Sequence, residues 1–185
     1  MTPSIRARTI ESSAFIFAMR NYHKFCSVCG GRLRKKGKQL ICSCCPFVNY
    51  RNPRPTATAI IVNRNKILLV KRRNTPFRGW WDLPGGFINR GEPSEKALER
   101  EVREESGLRI KSRTLFGLYH GIYPSVIDPF HVLSVVYIVK PQGVVCTVDK
   151  KEVSAVEWFS KKELPKRIAF DSNQRVIKDF LKIWK

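Results

Sequence analysis

The sequence has no run of about eighteen apolar residues, which excludes a membrane-spanning helix. Its early apolar stretch, Ala14 to Met19, is cut by Arg20 and is too short for a signal-peptide core. The expected location is therefore cytoplasmic, with no membrane partner. Internal repeats and low-complexity tracts are also missing. Acidic residues are scarce, with 15 Asp and Glu against 35 Lys and Arg, so the net charge is +20. A chain this basic, with a pI near 10.2, attracts phosphate-bearing ligands, whether nucleotides or nucleic acid. Six of the few acids fall between Glu92 and Glu105, leaving a basic body with one carboxylate cluster. The 185 residues are 43% hydrophobic and 27% charged, which suits one domain with a small appendage and excludes wholesale disorder.

Cysteines are concentrated as well. Five of the six lie between Cys26 and Cys45. Cys26-Ser27-Val28-Cys29 and Cys42-Ser43-Cys44-Cys45 are two knuckles at the spacing of a four-thiolate zinc ribbon, with a hairpin expected between them. Cys26, Cys29, Cys42 and Cys45 are the expected ligands of a structural Zn²⁺. Cys44 is an alternative to Cys45, and the matched two-residue spacing favours Cys45. Cys146, alone in an apolar segment, is expected to be a small buried hydrophobe.

Residues 1–20 read as a flexible arm, a transit-like peptide, or sequence upstream of a start at Met19. Residues 21–50 read as the ribbon, and Asn49 to Pro55 as a stiff linker containing Pro53 and Pro55. A mixed domain is expected over 56–185. Ala57–Val62 and Ile67–Lys71 form a predicted hairpin around Asn63-Arg64-Asn65. Ser94–Ser106 is a predicted helix between Pro93 and Gly107. Thr114–Tyr119, His131–Val139 and Val153–Phe159 are predicted strands. Ser172–Ile183 is a predicted amphipathic helix with Val176, Ile177, Phe180 and Leu181 on its apolar face. This order gives an α+β class or a sandwich.

On the first helix, Glu101, Glu104 and Glu105 stand at i, i+3 and i+4, on one face. Neighbouring charges about 5–6 Å apart repel by roughly 3 kcal/mol per pair at an effective dielectric near 20. The cluster therefore calls for a cation, and a hard divalent ion such as Mg²⁺ suits both carboxylates and substrate phosphates. Arg100 is placed to steer Glu104 by a forked hydrogen bond, and Glu92 is placed to reach Arg100.

Gly86, Glu92, Arg100, Glu101, Val102, Glu104, Glu105, Gly107 and Leu108 match every fixed position of the Nudix box. The lead-in from Gly79 to Gly86 also resembles that family, as does the chain over about 56–183, and the ribbon resembles that of zinc-ribbon Nudix hydrolases. The resemblance implies an α/β/α sandwich preceded by a small zinc-ribbon hairpin. It implies a Nudix-type pyrophosphohydrolase that cleaves a nucleoside diphosphate linked to another moiety and releases a nucleoside monophosphate. Mg²⁺ or Mn²⁺ would be held by Glu101, Glu104, Glu105 and the Gly86 carbonyl. The general base would be a box glutamate or Glu152 on a later loop. Family members are often dimers, so a homodimer is the implied assembly.

For the substrate, Pro124 resembles a proline at similar spacing in ADP-ribose pyrophosphatases. The segment Leu164–Ser172 looks like the group that hydrolyses ADP-ribose or FAD. The NADH-type signature after the box is replaced by Gly117 to Val126. Trp81, Tyr119, Tyr123 or Phe130 are candidates for stacking on adenine, and Trp81, Tyr123 and Pro124 are the expected substrate contacts. An RNA 5′-end pyrophosphohydrolase or decapping enzyme is the alternative. It is suggested by Arg32, Arg34, Lys35, Lys36 and Lys38 in the ribbon connection, a basic run from which weak nucleic-acid binding is expected. A nucleotide-binding sensor is a third reading, which the full carboxylate set disfavours.

Overall fold

A computed structural model describes residues 24–125, 129–146 and 150–184. The arm expected over 1–20, the start of the ribbon, Val126 and Asp149 lie outside the described residues. The chain divides into two compact units, the first running to Asn52 and including Ser125 and Pro129, the second formed by Pro53–Pro124 and the chain from Phe130 onward.

The first unit is a three-stranded antiparallel sheet of β1 (Leu33–Lys36), β2 (Gln39–Cys42) and β3 (Val48–Asn49). Leu33 pairs with Cys42 and Lys36 with Gln39 across a turn at Gly37. Cys26 and Cys42 are the only buried residues among residues 24–52. Apolar burial therefore does not hold it together.

The second unit is built on a seven-stranded sheet. Its strands are β4 (Arg54–Asn63), β5 (Lys66–Arg72), β6 (Trp81–Asp82), β7 (Gly85–Phe87), β8 (Arg109–Tyr123), β9 (Phe130–Gln142) and β10 (Val153–Ser160). The main path runs β10-β5-β4-β9-β8, with β6 on β5 and β7 on β4. β4 and β9 pair in parallel, and the other pairings are antiparallel. Arg54 and Pro55 are already paired with Val132 and Leu133, so the expected linker is shorter than the sequence suggested.

Helix α1 (Ser94–Ser106) and helix α2 (Asp171–Ile183) cover opposite faces. Strand alternation explains this. Ala57, Ala59, Ile61 and Leu68 meet Ala97, Leu98 and Val102 of α1. Their neighbours Ile60, Ile67 and Leu69 meet Val176, Ile177 and Phe180 of α2. A sheet apolar on both faces, with a helix on each, is the expected α/β/α sandwich. α1 starts and stops where Pro93 and Gly107 predicted, Gly107 being left-handed at φ 70°. β8 is longer than the predicted Thr114–Tyr119; its first residues, Arg109 to Arg113, are basic and mostly exposed and so give no apolar alternation to read. Cys146 is exposed, a correction to its expected burial. The segment carrying it leaves the sheet after Gln142. No helix among the described residues is long and apolar enough to cross a membrane.

Candidate functional site

The carboxylate cluster is assembled by docking α1 onto β7. Arg100 grips Glu92 in a two-pronged ion pair, with Nε to Oε1 at 2.9 Å and Nη2 to Oε2 at 3.0 Å. Its Nη2 also donates to the Phe87 carbonyl at 3.1 Å. Its Nη1 donates to Glu101 Oε1 at 2.6 Å and Glu104 Oε2 at 3.3 Å. The fork thus goes to Glu92, while Glu104 receives a single long bond. Arg100 holds the Glu92 carboxyl down at about 2, helped by the Asn89 N–H.

Glu105 is locked from the other side, its Oε2 accepting the Gly85 N–H at 2.9 Å. Burial holds its carboxyl well above the usual range, and the charges of Glu101, Asp82 and Glu152 push the same way. Glu101 is raised too, first by burial and against the pull of Arg100, with Glu104 and Glu152 adding repulsion. Gly86 lies against the Glu101 carboxylate so closely that a Cβ there would collide with it. Glu105 has no cationic partner among the described residues. Buried carboxylates that raise one another's proton affinity, beside a glycine that leaves room at their oxygens, fit a divalent cation.

These groups open into a cavity of about 410 Å³ lined by Gly86, Arg100, Glu101, Glu105, Tyr123 and Glu152 among others. Glu152 arrives on the turn before β10, where its carbonyl accepts the Arg73 N–H at 2.8 Å. Glu104 is not part of the lining and is half exposed. Trp81 and Pro124 do not line the cavity either. The Trp81 ring packs edge-on to Phe159 at 4.8 Å, inside the core beneath α2. Tyr119 is likewise occupied, stacked on Phe116 and donating to Asp179 at 3.2 Å. Tyr123 stacks on Phe130 at 5.0 Å and 9°, and the Arg54 guanidinium lies 3.8 Å from the Phe130 ring centre.

Sequence reasoning missed Arg72, Asp82, Phe170 and Asn173, which also line the cavity. Asp82 stands inside the quoted lead-in and is a charged residue in an apolar context, a signal that was available. Asn173 sits about ninety residues away, and only the fold joins it to Asp82.

In the first unit, the thiols of Cys26, Cys29, Cys42 and Cys45 lie within 4.8 Å of one another. Cys26 and Cys45 are 3.7 Å apart, and Cys29 and Cys42 are 3.5 Å apart. The N–H groups of Val28, Gly31 and Cys44 donate to Cys26, Cys29 and Cys42. Cys44 itself is exposed beside Ser43 and lies outside the tetrad. The Cys44 N–H above all pulls the Cys42 thiol down to about 6. Cys29 is pushed up to about 12, despite the Gly31 N–H, by hydrogen bonds with Cys45 and Cys42. Four thiols gathered this closely, with backbone N–H groups aimed at three of them, fit one tetrahedral metal ion.

Residues 52–180 match the NUDIX domain family. The chain belongs to that family. It is therefore an enzyme of the Nudix hydrolase type, a class that typically works with Mg²⁺ or Mn²⁺. The chain is 41% identical over 138 residues to an ADP-ribose pyrophosphatase of Methanocaldococcus jannaschii, covering 74% of this chain and 77% of that one. It is 28% identical over 160 residues to the NAD-capped RNA hydrolase NudC of Haemophilus influenzae, covering 84% of this chain but only 57% of that protein. The crystal structure of a NUDIX hydrolase from Nitrosomonas europaea superposes with a TM-score of 0.64 at 30% identity, covering 86% of this chain and 90% of that one.

Proposed function

We propose that this protein is a Mg²⁺- or Mn²⁺-dependent hydrolase of a dinucleotide-type pyrophosphate, with ADP-ribose or an FAD-like compound favoured, releasing a nucleoside monophosphate. The observation that carries the reading is the convergence of Glu101, Glu105 and Glu152 on one cavity, with burial and mutual repulsion raising the first two. The likeness to the ADP-ribose pyrophosphatase supports the substrate class.

Glu101, Glu104, Glu105 and the Gly86 carbonyl are the groups that would hold the divalent ion. Once bound there, the ion neutralises phosphate charge and makes a water more acidic. The chain's own work is to orient and to move a proton. Arg100 fixes Glu101 and Glu104. The Gly85 N–H fixes one oxygen of Glu105, leaving the other free. A carboxylate on the cavity wall is placed to take the proton of the attacking water; Glu105, whose burial raises its proton affinity, and Glu152, which lines the same cavity, are the candidates. Tyr123 offers a ring to the nucleoside.

In the first unit, Cys26, Cys29, Cys42 and Cys45 would hold one structural Zn²⁺. The domain reading keeps residues 21–50 as that ribbon and 56–185 as the hydrolase domain.

A second reading, hydrolysis at a capped RNA 5′ end, draws support from the hairpin of the first unit. Arg34, Lys35 and Lys36 are exposed on β1, with Lys38 in the turn. The NudC likeness points the same way. Homodimer formation stands as a further proposal.

Turnover of ADP-ribose, FAD, NADH and NAD-capped RNA, measured with and without magnesium, tests the assignment. Magnesium-dependent release of a nucleoside monophosphate from ADP-ribose is expected. Turnover of capped RNA alone would replace the first reading with the second. No turnover of any of the four would defeat both.

A further inference from the structure

Two histidines meet on the face of the sheet turned away from the cavity. Val132 and Ser134 of β9 line the cavity, so alternation turns His131 and Leu133 to the opposite face. His120, on the edge strand β8, pairs with Leu133, and Ile122 pairs with His131. The two histidines are therefore diagonal neighbours on that face, within reach of one another. Both are exposed. Their rings lie 4.9 Å apart at 28°, and His120 Nε2 faces His131 Nδ1 at 2.8 Å.

Joined this way, one ring donates its N–H to the lone pair of the other. Such a bond in water adds little to stability, yet it holds two exposed side chains in one geometry. That geometry is close to the one two ligands take on a single metal ion. Imidazole nitrogens bind transition metals at about 2.0–2.1 Å, so two of them stand about 2.9 Å apart at a right angle and about 3.3 Å apart at a tetrahedral one. The observed 2.8 Å suits adjacent positions on a square-planar or octahedral ion, Cu²⁺ or Ni²⁺, with almost no movement. A tautomer shift that leaves each proton on the outer ring nitrogen frees both lone pairs. Arg175 reaches the same strand by donating to the His120 carbonyl, and its charge is paired with Asp171 at 3.4 Å. Exposure leaves the remaining coordination positions to water.

We propose that His120 and His131 form a further metal site, separate from the carboxylates and the cysteines, which takes one divalent ion of the Cu²⁺ or Ni²⁺ kind. Magnesium does not compete for it, because a hard ion prefers oxygen ligands to imidazole. Bound there, the ion clips the edge strand β8 to β9. The clip sits beside the cavity wall, since Val132 and Tyr123 line the cavity and Tyr123 pairs with Phe130. The inference stands apart from the hydrolase reading.

The test titrates Ni²⁺ into the full chain in excess magnesium, by calorimetry, with zinc content measured before and after. Magnesium keeps the carboxylates occupied, and an unchanged zinc content shows that the thiols have not exchanged their metal. Binding of one Ni²⁺ per chain is expected. Its affinity should fall about tenfold or more in His120→Gln and equally in His131→Gln, because each removes one of two ligands. His23→Gln, which alters the remaining histidine of the sequence, should bind as the unaltered protein does. The electron paramagnetic resonance spectrum of the Cu²⁺ form should show coupling to two imidazole nitrogens.

Ni²⁺ affinity that is the same in the unaltered protein and in both variants would overturn the inference. So would a loss confined to one of the two, which would mark a single surface imidazole rather than a pair. A loss in His23→Gln alone would assign the metal elsewhere. The Cu²⁺ spectrum of the unaltered chain decides the matter even if a variant fails to fold, and coupling to one nitrogen or none would sink the site.

Discussion

Glu105 shows how a single residue carries opposite consequences for folding and for activity. Burial raises its carboxyl, so the folded chain binds that proton more tightly than the unfolded chain does. Its contribution therefore disfavours folding progressively as pH rises above the ordinary carboxylate range. Asp82 has the same sign. Burial, outweighing Arg72, pushes it from 3.8 to about 6, a cost of about 3 kcal/mol once pH exceeds that window. Glu105→Gln keeps an oxygen able to accept the Gly85 N–H and removes the buried charge. The metal-free variant should melt higher than the unaltered protein at pH 7.5, with the gap closing as pH falls toward 4. Its turnover should drop by about two orders of magnitude or more, since a divalent ion supplies several kcal/mol of charge stabilisation. Melting curves at several pH values and steady-state kinetics check both halves. A gap that widens on acidification would contradict the buried placement. Arg100→Lys belongs at this scale too. An ammonium has no fork to serve Glu92 and Glu101 together, so activity should fall about tenfold or more in kinetic assays.

At the scale of elements, β7 is three residues long and was legible only through the family resemblance of its lead-in, not from any apolar period, yet it anchors the carboxylates. Its two glycines make separable demands. A Cβ on Gly85 would strike the backbone of Ala57 and Thr58, and its φ of 148° is one that side chains rarely adopt. A Cβ on Gly86 would meet first the carboxylate end of the Glu101 side chain rather than backbone. Gly85→Ala should therefore loosen the β4–β7 pairing and cost about 2 kcal/mol or more of stability. Gly86→Ala should melt nearly as the unaltered protein does but lose most turnover as Glu101 is displaced. Denaturant titration beside kinetics separates the two, and a Gly86→Ala protein with full activity would remove Gly86 from the site. α1 was legible to the residue because Pro93 and Gly107 punctuate it. β8 was only partly legible, since its basic first residues, Arg109 to Arg113, follow no apolar period. The box residues could be read together because one helix and its lead-in carry them. Asp82, Arg72 and Asn173 could not, because a sheet edge and a helix distant in sequence bring them to one wall.

For the whole molecule, the two units are held by different physics, and a single substitution should tell them apart. The second unit buries two apolar clusters formed entirely from Ala57 onward. Over residues 24–52 the first buries only two cysteines, far too little surface to offset the entropy of ordering its backbone. A bound metal is then the source of its stability, and purified protein should contain about one zinc per chain that survives removal of magnesium. Cys29→Ser removes one of four thiols, so elemental analysis should show the zinc lost. Amide exchange should show the hairpin from Leu33 to Cys42 unprotected, while amides of β4, β5 and β9 stay protected. Turnover of ADP-ribose should remain within about threefold, because the carboxylates and the cavity all belong to the second unit. Binding to capped RNA should fall if the basic hairpin contributes, since Arg34, Lys35 and Lys36 would no longer be held on a fixed strand. A zinc-free purified protein with a protected hairpin would overturn the metal assignment. Loss of ADP-ribose turnover with the second unit still protected would show instead that the ribbon completes the active enzyme.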